Sequence, residues 1–128
     1  MADLQQALER ILYERLSATV TLARVFEHVP EGTPPPVVIL ADFSVTNLGS
    51  KTSAFDRFEF DIVSLVKGAE RKALNALQVE VRDALDQWRP APPLGVEVSQ
   101  VNFVSGDGYL LPDEAIYYGT QRFACFVQ

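Results

Sequence analysis

Apolar residues recur at helical spacing in residues 3–16, where Leu4, Leu8, Ile11, Leu12 and Leu16 form one stripe. Gln5, Gln6, Glu9, Arg10 and Glu14 fill the rest of each turn, so the spacing predicts an amphipathic helix with one face against a core. Asp3 suits the first turn or the N-cap, where unpaired amides attract an acceptor or a negative charge. From Ser17 onward β-branched and aromatic residues take over. Residues 24–29, RVFEHV, predict a short strand halted by Pro30. Residues 37–48, VVILADFSVTNL, predict a longer strand that starts apolar on both faces. Such a start fits a central position, or a sheet covered by helices on one side and a partner on the other. The polar stretch GSKTS, residues 49–53, reads as a loop.

Period-two alternation governs residues 55–66, FDRFEFDIVSLV. Phe58, Phe60 and Ile62 point one way and Arg57, Glu59 and Asp61 the other, the mark of a sheet with one packed and one wet face. Helical spacing returns over residues 69–88. There Leu74, Leu77, Val81, Leu85 and Trp88 oppose Glu70, Arg71, Glu80, Arg82 and Asp86. RPAPP at 89–93 ends that helix, because proline lacks an amide donor. Residues 96–104 predict a fourth strand, with a parity shift near Ser99 and Gln100 that suits a bulge. Residues 116–127, IYYGTQRFACFV, predict a fifth, in which Gly119 marks a bend or a close backbone contact. SGDGYLLPDEA between them, residues 105–115, reads as a loop rich in turn formers. The order α-β-β-β-α-β-β with short connections predicts an α+β fold: one mostly antiparallel sheet with both helices on one face.

Composition narrows the classes. With 128 residues, of which 48% are apolar and 22% charged, the chain fits one domain, 1–128, able to fold without a metal or disulfide staple. The start, MADLQQALERIL, carries acids and lacks the apolar run of a secretory signal. No window approaches the roughly eighteen apolar residues of a membrane span, so a soluble, intracellularly made protein without membrane contact is expected. Seventeen acids against eleven bases give a net charge of −6. That balance argues against tight binding to a nucleic acid backbone, yet suits a surface past which nucleic acid slides.

Candidate chemistry is thin. The chain has one histidine, His28, beside prolines, and one cysteine, Cys125, in an apolar strand. Neither spacing brings a base to a nucleophile, so His28 reads as a rim residue and Cys125 as a small buried apolar one. Asp107, Asp113 and Glu114 match no calcium-loop spacing, and no phosphate-cradling glycine motif occurs. An RNA-binding sheet would carry bases where FEFDIV carries acids. No catalytic residue, metal or cofactor is expected. What remains is surface: Tyr109, Leu110 and Leu111 in the 105–115 loop, and Leu48 and Phe55 around Lys51 in the 48–56 loop. Apolar residues in the loops of a small acidic domain suggest contact with another chain, unless they fold back on their own core. A generic binding domain that takes a peptide or small ligand on its sheet face is a rival reading. An enzyme working with acids alone, such as Asp107 and Asp113, is another.

The order of motifs resembles the family of phage tail-terminator or tail-completion proteins, which is also found in prophages and gene transfer agents. An amphipathic helix leads into Arg24-Val25-Phe26-Glu27-His28-Val29-Pro30, and a proline-rich turn, Glu31 to Pro36, enters the apolar strand Val37-Val38-Ile39-Leu40. The pair Lys51-Thr52 precedes an alternating strand, Val81-Arg82-Asp83-Ala84-Leu85 closes a helix, and Asp107-Gly108 falls between the last two strands. The resemblance spans nearly the whole chain and implies a structural rather than an enzymatic role. It implies a hexameric ring on the last ring of the tail tube, which stops tube polymerisation and offers a docking surface to the head-tail connector. Partners would be further copies of the chain, the tail tube protein and the connector, with DNA passing through unbound. The protein would be made in the host cytoplasm and end in the virion, at the tail end nearest the head. On this reading Leu48, Lys51, Phe55, Tyr109, Leu110 and Leu111 form subunit or partner contacts, and Asp56, Glu59, Asp61 and Asp107 line the channel.

Overall fold

Leucines at every fourth position explain the first element. Leu8, Leu12 and Leu16 are at most 1% exposed, so α1 (Ala2–Thr19) forms against a core and gains its stability there. The computed structural model describes residues 2–49, 55–68, 71–91 and 97–128, with side chains from residue 5 onward. The proposed capping role of Asp3 and the burial of Leu4 therefore lie outside the described side chains. After α1 come β1 (Arg24–Phe26), β2 (Val37–Asn47), β3 (Asp56–Lys67), α2 (Arg71–Leu85), β4 (Asn102–Leu111) and β5 (Ile116–Val127). The strands form one sheet in the order β1-β2-β3-β5-β4. β1 runs parallel to β2, and every other pair is antiparallel. The predicted element order and sheet type are those observed.

One row of phenylalanines sets the register. Phe43 pairs with Phe60, Phe60 with Phe123 and Phe123 with Phe103, so one ring from each of β2, β3, β5 and β4 lies in line on the helix side. Phe43 and Phe60 stack at 5.9 Å between centroids, Phe60 and Phe123 stack at 5.8 Å, and Phe103 meets Phe123 edge-on at 5.6 Å. Aromatic pairs of this kind add about 0.5–1.5 kcal/mol each beyond the area they bury. Leu74, Leu77, Val81, Ala84 and Leu85 of α2 close over this layer, and α1 packs beside α2 and reaches β1.

Glycines decide how near α2 comes. A Cβ at Gly108 would stand 2.9 Å from a Leu74 methyl, and one at Gly119 would collide with the Gln78 amide. The SGDG segment therefore does not turn. Residues 105–111 belong to β4, and the turn waits until residues 112–115, where Ala115 has φ 52°. Turn propensity lost here because the sheet needs bare backbone beneath the helix. The predicted 96–104 strand shifts accordingly: β4 begins at Asn102, upstream of which Val98 makes only an isolated bridge to Val127. The bulge falls between Phe103 and Ser105 rather than near Ser99. Gly119 proves to be a close contact, one of the two roles its position allowed.

Other boundaries move for local reasons. α2 ends at Leu85, before the prolines, because Gln87 adopts φ 66° while its amide bonds to Val101 O. β1 stops at Phe26, and the segment from Glu27 to Pro36 carries the chain back so that β2 starts beside Arg24. Gly32 with φ 80°, Thr33 bonded to Pro30 O and a cis Pro35–Pro36 bond shape that return. Cys125 is buried in the core, and burial pushes its thiol up to about 12.

Close approach of α2 makes a clear expectation. Gly119→Val and Gly108→Val should each destabilise the fold by about 1–3 kcal/mol through overpacking. The loss is read as a lower urea midpoint with an unchanged slope. Midpoints equal to the parent's in both variants would show that the glycines do not set the helix–sheet distance.

Candidate functional site

The pleat sorts the sequence-predicted acids. Residues paired across β3 and β5 share a face, and Phe58, Phe60 and Ile62 take the helix side. Glu59 and Asp61 therefore lie on the opposite, helix-free face, and Asp107 joins them there through its pairing with Thr120. Asp56 does not. Its parity is that of Phe58 and Val127, so it parts from the other three.

On the open face the acids meet arginines. Arg122 of β5 sits opposite Asp61 and donates from Nε to Oδ1 at 2.9 Å and from Nη2 to Oδ2 at 3.2 Å. Its Nη1 donates to Glu59 Oε2 at 3.1 Å, and Arg57 Nε approaches Glu59 Oε1 at 3.3 Å. This row ties β3 to β5 through a two-pronged Arg–carboxylate pair, the strong form of the interaction. Hydrogen bonding to Asp61, then its charge, raises the Arg122 guanidinium above its ordinary range. Asp61 is 7% exposed, so its charge is largely spent on Arg122. Asp107 differs: its Oδ1 accepts the Thr120 amide at 3.2 Å, and among the described residues it has no ion-pair partner. Sequence reading missed Arg122, although a lone arginine in an apolar strand, TQRFACF, is itself a signal of a paired charge.

Apolar candidates gather at two places. Leu48 follows β2, is 51% exposed and donates its amide to Phe55 O at 2.8 Å. The Phe55 ring stacks on Phe126 at 5.4 Å and 3°. Tyr109, 46% exposed, leans on Tyr118 at 5.2 Å, with exposed Leu110 and half-buried Leu111 beside it. Phe55 adjoins the Asp56–Val127 end of the sheet and Tyr109 the Leu65–Tyr118 end, so the two groups stand ~30 Å apart along the strands. They also lie toward opposite rims, β2 and β4. Lys51 and its neighbour Thr52 lie outside the described residues. The 105–115 candidates thus sit on a strand and its turn rather than on a loop.

Elsewhere the surface is locally explained. His28 is exposed in a shallow cleft with Glu9 and Glu27, where burial and then the Glu27 charge push the Glu9 carboxyl up. An apolar groove between Pro35, Pro36 and Leu22 on one side and Ala73 and Ala76 on the other flanks the proline corner. Among the described residues no three histidine, cysteine, aspartate or glutamate side chains group to hold a metal, and no helix is long and apolar enough to cross a membrane. Glu80 of α2 accepts the Thr21 and Leu22 amides at 3.0 and 2.9 Å and the Thr21 hydroxyl at 2.6 Å, fastening the end of α1 to α2.

A five-stranded sheet with helices on one face and paired charges on the other makes this an α+β fold. The sequence profile described as Tail completion protein gp17 matches residues 6–128, and the chain belongs to that family. Its fold is similar to that of a chain in the virion of a native gene transfer agent particle. The TM-score is 0.84, with 22% identity and 95% of each chain covered. No curated protein sequence matches it. The chain is a structural protein of the phage-tail type, and its family points away from catalysis.

Glu80 supplies a pH test. Burial raises its carboxyl, but the Thr21 hydroxyl and the Leu22 and Thr21 amides outweigh this and hold it below its ordinary 4.5. A depressed carboxylate stabilises the fold above its unfolded value, and that stability is lost as pH falls through the folded value. Glu80→Gln should therefore be less stable than the parent at neutral pH, with the gap closing as pH drops below about 4.5. Denaturation midpoints across that range measure it, and a gap constant with pH would refute the assignment.

Proposed function

We propose that the chain caps the tail tube as a hexameric ring, stops tube polymerisation and presents the surface on which the head-tail connector docks. Family membership over residues 6–128 carries this reading. The two apolar corners support it, because a ring contact is heterologous and joins one patch to a different patch on the neighbour. Leu48 and Phe55 form one such patch and Tyr109, Leu110 and Leu111 another, each available to a different surface of a neighbouring copy. The bare sheet face, with Glu59, Asp61 and Asp107 on it, lines the channel for DNA. Arginine pairing of Glu59 and Asp61 leaves Asp107 as the acid that most repels a phosphate backbone, and repulsion keeps the genome sliding. Asp56, on the other face, is not part of that lining.

Two measurements check this reading. Particles lacking the protein should carry overlong tails without heads, and electron microscopy of normal tails should show a six-fold ring at the end nearest the head. Tails of normal length with heads attached in its absence would overturn the capping role. Separately, Asp107→Lys should leave assembled particles normal in number but lower DNA delivery by about tenfold or more, since a lysine attracts the phosphates. Unchanged delivery would remove this face from the channel.

A further inference from the structure

Two runs of backbone at the rims of the sheet have no strand beside them among the described residues. β1 pairs with β2 only where Arg24–Phe26 meets Val37–Ile39, so the outer edge of β2 is open along residues 41–47. β4 forms the other rim. The segment after α2 closes its start: Gln87 N–H donates to Val101 O at 2.6 Å, Val101 N–H to Trp88 O at 2.7 Å, and Phe103 N–H to Asp86 Oδ1 at 2.9 Å. Beyond that, along residues 104–111, the side chains of Arg71 and Gln78 reach Gly108 O at 3.0 Å and Asp107 O at 2.9 Å, both in exposed bonds. Soluble domains blunt such edges with lysine or proline, because bare edges recruit other strands. Neither run contains either residue, although each carries one exposed aspartate, Asp42 or Asp107, and one bulge, between Leu40 and Phe43 or between Phe103 and Ser105. Both carry exposed apolar side chains instead: Val45 at 44%, Val104 at 45% and Leu110 at 43%.

We propose, resting on the ring reading above, that residues 41–47 of one copy pair antiparallel with residues 104–111 of the next, so that one sheet continues around the ring. Strand directions favour a second copy as the occupant. β3 runs against β2, β5 against β3 and β4 against β5, so β4 runs opposite to β2. Copies repeated in one orientation therefore bring β4 against β2 in the stronger, antiparallel sense. The two edges belong to opposite rims, so the contact is heterologous and propagates until it closes. The open run of β2 lies level with the Phe58 end of β3, and that of β4 level with the Leu65 end. Pairing them requires a stagger along the strands, the same displacement that lets a sheet close on itself.

Cysteine cross-linking in assembled particles tests this, because buried Cys125 gives no background. Ser44→Cys, Val45→Cys and Thr46→Cys are each combined with Val104→Cys, Ser105→Cys and Leu110→Cys, and the same samples are imaged. At least one double variant should give, on oxidation, a ladder of disulfide-linked copies of this chain, while the single variants give none. Imaged rings with no ladder in any combination would overturn the strand pairing and leave the ring standing. Absence of rings from every sample, parent included, would overturn both. A cross-link only to a different virion protein would overturn the choice of occupant. As a second route, Val45→Lys and Val104→Lys, verified as folded by circular dichroism, should each lower ring formation by about tenfold. Unimpaired rings in both would likewise refute the pairing.

Discussion

Everything on the two faces of this sheet depends on the row formed by Phe43, Phe60, Phe123 and Phe103. Slipping any strand by one residue would turn its phenylalanine outward and expose a large apolar ring. Four strands are thus locked in one register from the helix side. The locked register then decides what appears on the opposite face. Arg122 stands across from Asp61, and Glu59 is within its reach, because Phe60 and Phe123 face each other one residue away.

That division of labour suits a structural subunit of a tail. The helix side supplies stability through α1, α2 and the aromatic layer. The open side is stiffened by ion pairs that hold their shape without a covering layer, and the rims keep backbone and apolar side chains available. Proline-rich residues 30–36 return the chain for the one parallel pairing, so that β1 covers only the beginning of β2. The corner beside the lone histidine therefore leaves the rest of the β2 edge without a strand among the described residues.

Much of the fold was legible because burial writes a period into the chain. Leu8, Leu12 and Leu16 and the Phe58–Phe60–Ile62 alternation announced a helix and a half-wet strand without ambiguity. The segment Ser105 to Leu111 was not legible in the same way. Glycine serves both a turn and a close approach, and only the position of Leu74 and Gln78 above Gly108 and Gly119 distinguishes them. The end of α2 was similarly hidden, since Gln87 carries no sequence mark of a left-handed conformation. Among the candidate site residues, Tyr109, Leu110 and Leu111 were chosen for a place between elements, yet they lie on β4. The acids could not be sorted by face beyond β3, because parity counts only within one strand.

By itself, the sequence determined the order of helices and strands and the core faces of α1, β3 and α2, since each follows from local period and residue chemistry. Tertiary structure alone decided the strand order, the parallel placement of β1 and the pairing of Arg122 with Asp61 across sixty-one residues of chain. It also decided that Asp56 and Asp107 lie on different faces. The physical reason is range: periodicity is set by neighbours along the chain, whereas register, charge pairing and open edges are set by neighbours across the sheet.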